Sequence, residues 1–156
     1  MSFKLVENKI DDNKFISCKD FFNPIRSKKD KSSPIKFDMC EFTLCLLVGL
    51  KNDRKELLKD YQFRKDNFAQ RYIDEYLEIK PLITGLLLSK IIKNAGIDRN
   101  EKSKVKDIMK NALDSNDPLF LKKETIDIMH QYYLGGFCIL LNEFEYKPPV
   151  DVSVFF

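Results

Sequence analysis

The sequence has no tryptophan, a single histidine, and only five glycines in 156 residues. A zinc-type metal centre draws on several His, Cys or carboxylate ligands at workable spacing, and one histidine is a poor start. His130 has no cysteine within a helical turn, and Cys18, Cys40, Cys45 and Cys138 contain no C-x-x-C pair. Cys138 lies eight residues beyond His130, roughly 12 Å along one helix, too far for a thiolate–imidazole couple. Neither G-x-x-x-x-G-K-[ST] nor G-x-G-x-x-G occurs, so no phosphate-cradling loop is present. Nuclease-like spacing appears once, in Glu78-Ile79-Lys80 with Asp74 upstream, at a helix end that does not aim both side chains at one metal. The reading is of a non-enzyme: no catalytic residue, no metal, no cofactor and no small-molecule ligand.

Long hydrophobic runs are also missing. The longest charge-free apolar run, Tyr132–Leu141, is half of the roughly twenty residues a spanning helix takes. Met1–Ile10 carries Lys4, Glu7 and Lys9 and no apolar run, so no secretory leader is read. With cysteines that follow no disulfide framework, these features predict a cytoplasmic protein with no membrane partner.

What is present is a 44% hydrophobic, 33% charged composition, ordinary for one soluble globular domain, with thirteen Phe and six Tyr to fill its core. The spacing predicts an all-α fold: a compact single-domain bundle of five to six helices in residues 37–147. Asp38 with Glu41 forms a capping signal for a first helix that Gly49 would stop. Asp53 with Glu56 repeats it for a helix over 54–64, and Phe68, Tyr72, Ile73, Tyr76 and Leu77 mark another over 67–79. Pro81 opens a fourth helix that Gly96 ends, and Asp98 with Glu101 opens a fifth reaching about Leu113.

The central element is the helix predicted over 122–146, apolar around most of its circumference (Ile126, Met129, Tyr133, Phe137 and Leu140 beside Ile128, Tyr132 and Ile139). Gly135-Gly136 marks a close backbone approach, for which the Gly85 helix is the expected neighbour.

Residues 1–36 show scattered apolar positions, no sustained period and a charge of +4, and read as a largely irregular basic arm. Residues 148–156 follow two prolines and read as an extended apolar tail. Two functions fit this plan. The first is a non-enzymatic accessory or adaptor subunit that binds another protein subunit or itself through its chain ends. The contacts would come from Phe21, Phe22, Val150, Val152, Val154, Phe155 and Phe156, with the tail adding as a strand to a sheet edge.

The alternative is nucleic-acid binding through Arg26, Lys28, Lys29 and Lys31 of the arm and two lysine stripes, Lys51, Lys55, Lys59 and Lys102, Lys106, Lys110. Leu88–Val105 has a helix–turn–helix outline, although Ile92 and Lys102 depart from its pattern.

Overall fold

The computed structural model of the chain describes residues 3–26, 33, 35 and 38–149. These are predominantly helical, with five helices and one two-stranded antiparallel sheet among them. The order is β1 (Val6–Lys9), α1 (Cys18–Phe22), α2 (Asp38–Lys51), β2 (Tyr61–Phe63), α3 (Lys80–Asn94), α4 (Lys102–Ala112) and α5 (Lys123–Glu143).

The α2–α5 pair is the centre of the fold. Phe42, Cys45, Leu46 and Gly49 of α2 and Met129, Tyr133, Gly136 and Phe137 of α5 are all buried. Phe42 stacks on Tyr133 with ring centroids 4.5 Å apart. The glycines set the approach. A Cβ on Gly136 would overlap the Cys45 carbonyl and stand 2.6 Å from the Gly49 nitrogen. The neighbour of Gly135-Gly136 is therefore α2 and its outgoing chain, not α3, and Gly85 has nothing within 4 Å of its Cβ position. Gly49 does not stop α2 either, because its missing side chain admits the Tyr132 carbonyl and the helix continues to Lys51.

Two further expectations are corrected. The first concerns residues 3–26, read as an irregular arm, which belong to the core. Phe3, Leu5, Val6, Cys18, Phe21, Phe22 and Ile25 are buried there. β1 pairs with β2 in the register Val6↔Phe63, Asn8↔Gln62 and Lys9↔Tyr61, with an irregularity between Val6 and Asn8. The Val6 N–H donates to the Tyr133 hydroxyl at 2.9 Å, tying the sheet to α5.

The second concerns residues 53–79, which form no α-helix. The chain leaves α2 through Asp53, whose φ of 49° is left-handed. It then makes short 3₁₀ turns at Leu58–Asp60 and Asp74–Tyr76 on either side of β2. Besides the bonds within its turns, the backbone here bonds to the N-terminal segment: Arg64 N–H to Leu5 O, Phe68 N–H to Phe3 O and Phe3 N–H to Ala69 O. The aromatic spacing that mimics a helix serves contacts across the fold, with Phe3 5.7 Å from Phe68 and 5.0 Å from Tyr72.

α3 and α4 stand apart from this centre. Pro81 lies in the first turn of α3, and Gly96 (φ 72°) closes its end in the left-handed conformation that glycine tolerates. Ile83 and Leu87 of α3 join the main core, whereas Leu88 and the one buried residue of α4, Ala112, are buried outside it. α4 is anchored mainly at its end, where Ala112 O accepts from Thr125 Oγ1 (2.8 Å) and from the Lys122 N–H (2.9 Å).

Candidate functional site

His130, Glu41, Cys18, Cys45 and Cys138 are buried within the fold, and Cys40 is half-buried. His130 is fully buried; its Nδ1–H donates to Ile126 O at 2.9 Å and its Nε2 accepts from the Lys4 N–H at 3.4 Å. Burial among the rings of Phe42, Phe63 and Tyr133 pushes its pKa down to about 4. It is a structural tie between α5 and the N-terminal segment. Burial raises the Cys18 thiol well above its ordinary value and that of Cys138 to about 11, which leaves little thiolate at neutral pH. Cys138 sits 3.1 Å from the Tyr61 hydroxyl. Among the described residues, no group of three His, Cys, Asp or Glu is placed to hold a metal ion. No described helix is long and apolar enough to cross a membrane.

Among the described residues, Glu41 is the one Asp, Glu, Lys or Arg that is buried outright. Read as a capping partner, it instead turns inward and is fully covered. Arg26 Nη1 lies 3.2 Å from its Oε1, an ion pair whose angle makes no hydrogen bond, and Oε2 has no hydrogen-bond partner. Burial, helped by Asp38, pushes the carboxyl up to about 8, against the opposing charges of Arg26, Lys19 and Arg64.

The residues proposed from the sequence separate into three groups. Phe21 and Phe22 are fully buried: Phe21 meets Phe137 at 5.6 Å and Phe144 at 5.7 Å. They fill this chain's own core and are withdrawn as partner anchors. Arg26 is likewise committed internally, 3.1 Å from Asp38 Oδ1 and beside Glu41. Lys51, Lys55 and Lys59 are exposed, but the chain leaves α2 at Lys51, so their four-residue spacing makes no helical stripe. Lys102, Lys106 and Lys110 do share one side of α4 and are all exposed. Lys28, Lys29, Lys31 and Val150, Val152, Val154, Phe155, Phe156 lie outside the described residues.

Exposed apolar side chains among the described residues include Ile10, Leu57, Leu77 and Phe120, and two, Leu82 and Leu86, share one face of α3. Turning Ile83, Leu87 and Ile91 inward points the positions 82, 85, 86, 89 and 93 outward. Leu82 is 59% exposed and Leu86 39%, on either side of the bare Gly85, and Met109 of α4 is 38% exposed. No family model, curated protein or solved structure matches this chain. The surface must therefore be read from its own chemistry.

The C-terminal part of α3 is tied to α5 and to the chain leaving α2. Asn94 Nδ2 donates to the Tyr132 hydroxyl (3.0 Å), which donates to Asp53 Oδ1 (3.1 Å), and Lys90 lies 3.9 Å from the same carboxylate. The α3–α4 turn encloses an open cleft of about 640 Å³ lined by Ser89, Lys90, Lys93, Gly96, Asp98 and Arg99. Arg99 bonds Ser89 Oγ at 3.3 Å, and no buried charged side chain faces the cleft. The connection Ala95–Glu101 is seven residues long, against the three or four of a helix–turn–helix turn, so that outline does not carry over.

Sequence reasoning missed Leu82, Gly85 and Leu86 because Leu82–Leu88 reads as a wholly core stretch. The available signal was excess. Five large apolar residues in seven cover more of a helix than one packed side can bury.

Proposed function

We propose that this chain is a non-enzymatic, cytoplasmic helical-bundle module that works by binding protein, and that the outward face of α3 makes the contact. The observation that carries this reading is the pair Leu82 and Leu86, both exposed around a glycine with no neighbour. Isolated apolar side chains are normal on a surface, but a patch continuous along one helix marks an interaction site. A helix-interior glycine costs about 1 kcal/mol against alanine, and a close partner supplies the offset that the isolated chain lacks. Four unpaired cysteines agree with a reducing compartment.

The test is a photocrosslinking amino acid at position 86, introduced in the native host. The expected result is a protein adduct that disappears when Leu82→Asp is added, with the helical circular dichroism unchanged. Absence of any adduct sinks the reading.

A second reading rests on a separate observation: Lys102, Lys106 and Lys110 are exposed on one side of α4, and none of them forms an ion pair among the described residues. Residues 80–112 hold eight Lys/Arg and three Asp/Glu, a charge of +5 in a chain of +3 overall. If this stripe binds phosphate backbone, binding to duplex or single-stranded DNA falls steeply with salt. Changing all three lysines to Glu is then expected to abolish it; binding that survives the triple change removes the stripe from consideration.

A further inference from the structure

Resting on the protein-binding reading of α3, we propose that the occupant of its outward face is a second copy of this chain, with the two α3 helices packed antiparallel about a two-fold axis between Gly85 and Leu86. On α3 the face runs Leu82, Gly85, Leu86, Ser89, at intervals of three, one and three residues, with Lys93 four residues beyond and Glu78 four residues before, in the turn that precedes the helix. That spacing reads the same from either end. A two-fold axis at its midpoint therefore places each position over a counterpart on the other copy, as an isologous contact requires.

The chemistry pairs as well as the spacing. Glu78, exposed in the turn that leads into α3, meets the partner subunit's Lys93, which is exposed near the helix end. Leu82 lies over the partner subunit's Ser89, which is half-buried and whose Oγ accepts from Arg99 of its own copy. At the axis, Leu86 packs into the space above the partner subunit's Gly85, where nothing stands within 4 Å in one copy. A side chain larger than hydrogen at position 85 would hold the helices apart, which accounts for an exposed glycine in mid-helix.

Other occupants fit less well. A polyanion or an acidic peptide asks for one sign of charge, whereas this stripe carries an acid at one end and a base at the other. The basic stripe Lys102, Lys106 and Lys110 belongs to α4, not to this face.

The helical part of the stripe, Leu82 to Lys93, is roughly 16 Å long, and one helix pair lies at the small end of specific interfaces, so a weak, micromolar dimer is expected.

Sedimentation equilibrium of the full chain over a concentration series tests this. Wild type is expected to dimerise, and Leu86→Asp to stay monomeric while keeping its helical circular dichroism. Glu78→Lys and Lys93→Glu each create two like-charge contacts across the axis and are expected to weaken the dimer about tenfold. The Glu78→Lys/Lys93→Glu double variant is expected to restore it.

A wild type that remains monomeric throughout overturns the proposal, as does a dimer that Leu86→Asp leaves intact or a double variant that fails to recover. A monomer that still yields a Leu82-dependent adduct with a different protein overturns the second copy alone and leaves the protein-binding reading standing.

Discussion

Replacing Gly136 with leucine is expected to leave the chain without a cooperative unfolding transition. A Cβ at that position overlaps the Cys45 carbonyl oxygen and stands 2.6 Å from the Gly49 nitrogen and 2.7 Å from the Cys45 carbonyl carbon. All three are backbone atoms of α2, so no rotamer change relieves the overlap; the helix itself must move. α2 is also hemmed in from the other direction, because Gly49 takes the Tyr132 carbonyl against its own bare Cα.

Ordinary overpacking of a core costs about 1–3 kcal/mol with side chains free to adjust. Separating two central helices adds the loss of the Phe42–Tyr133 stack and the contacts around it, against a total stability of about 5–15 kcal/mol. Gly136→Ala and Gly49→Ala are expected to lose at least about 3 kcal/mol in urea unfolding followed by circular dichroism. Gly85→Ala is the control: its Cβ meets nothing, so the single chain is expected to gain up to about 1 kcal/mol. A Gly136→Leu protein melting like wild type would show that α2 and α5 are not in backbone contact there.

The contrast between these glycines shows what local pattern carries and what it omits. The special nature of Gly135-Gly136 is legible, because two glycines in an apolar helix need an offset. Their neighbour is not legible, since Gly49 and Gly85 both sit in apolar helical runs and only the fold decides between them.

The same limit explains the segments. α2, α3, α4 and α5 follow from apolar period and, for α3, from Pro81 at its start and Gly96 at its end, all of which act within a few residues; no side chain caps α3, α4 or α5. The stretch 53–79 carries local signals too, Asp53 with Glu56 and an aromatic every four residues, yet it forms 3₁₀ turns and a strand. Its competitor is the N-terminal segment, some sixty residues away, whose backbone takes the bonds of Arg64 and Phe68. Strand pairing depends on such non-local partners more than on residue type. Residues 3–26 were obscured for the complementary reason: a strand of four residues and a helix of five are too short to show a period. The α3 face was hidden by hydrophobicity itself, since a run of leucines does not announce which of them point outward.

Buried titratable groups lead to the second large effect: stability is expected to be nearly level between about pH 4.5 and 6.5, where two opposed slopes cancel. His130 supplies one. Its pKa falls from 6.5 to about 4 on folding, so the unfolded chain binds the extra proton. Its contribution is fully present above pH 6.5 and is lost as pH falls through 4, about 3 kcal/mol in all. Protonation places a charge among aromatic rings and removes the acceptor for the Lys4 N–H, so the N-terminal segment should loosen first.

Glu41 supplies the other slope. Its pKa rises from 4.5 to about 8 on folding, so the folded chain holds the proton more tightly. Its contribution is greatest below pH 4.5 and declines as pH rises through 8. Each group alone changes stability by about 1.4 kcal/mol per pH unit within its window.

Removing either residue therefore uncovers the other. Glu41→Gln is expected to abolish the decline above pH 6.5 and to make stability rise with pH between 4.5 and 6.5. His130→Phe is expected to reveal a continuous fall from pH 4.5 to 8. Urea midpoints measured across that range read both slopes directly. Unchanged profiles in the two variants would mean that neither buried group keeps its shifted pKa, and that Arg26 holds Glu41 ionised from the start.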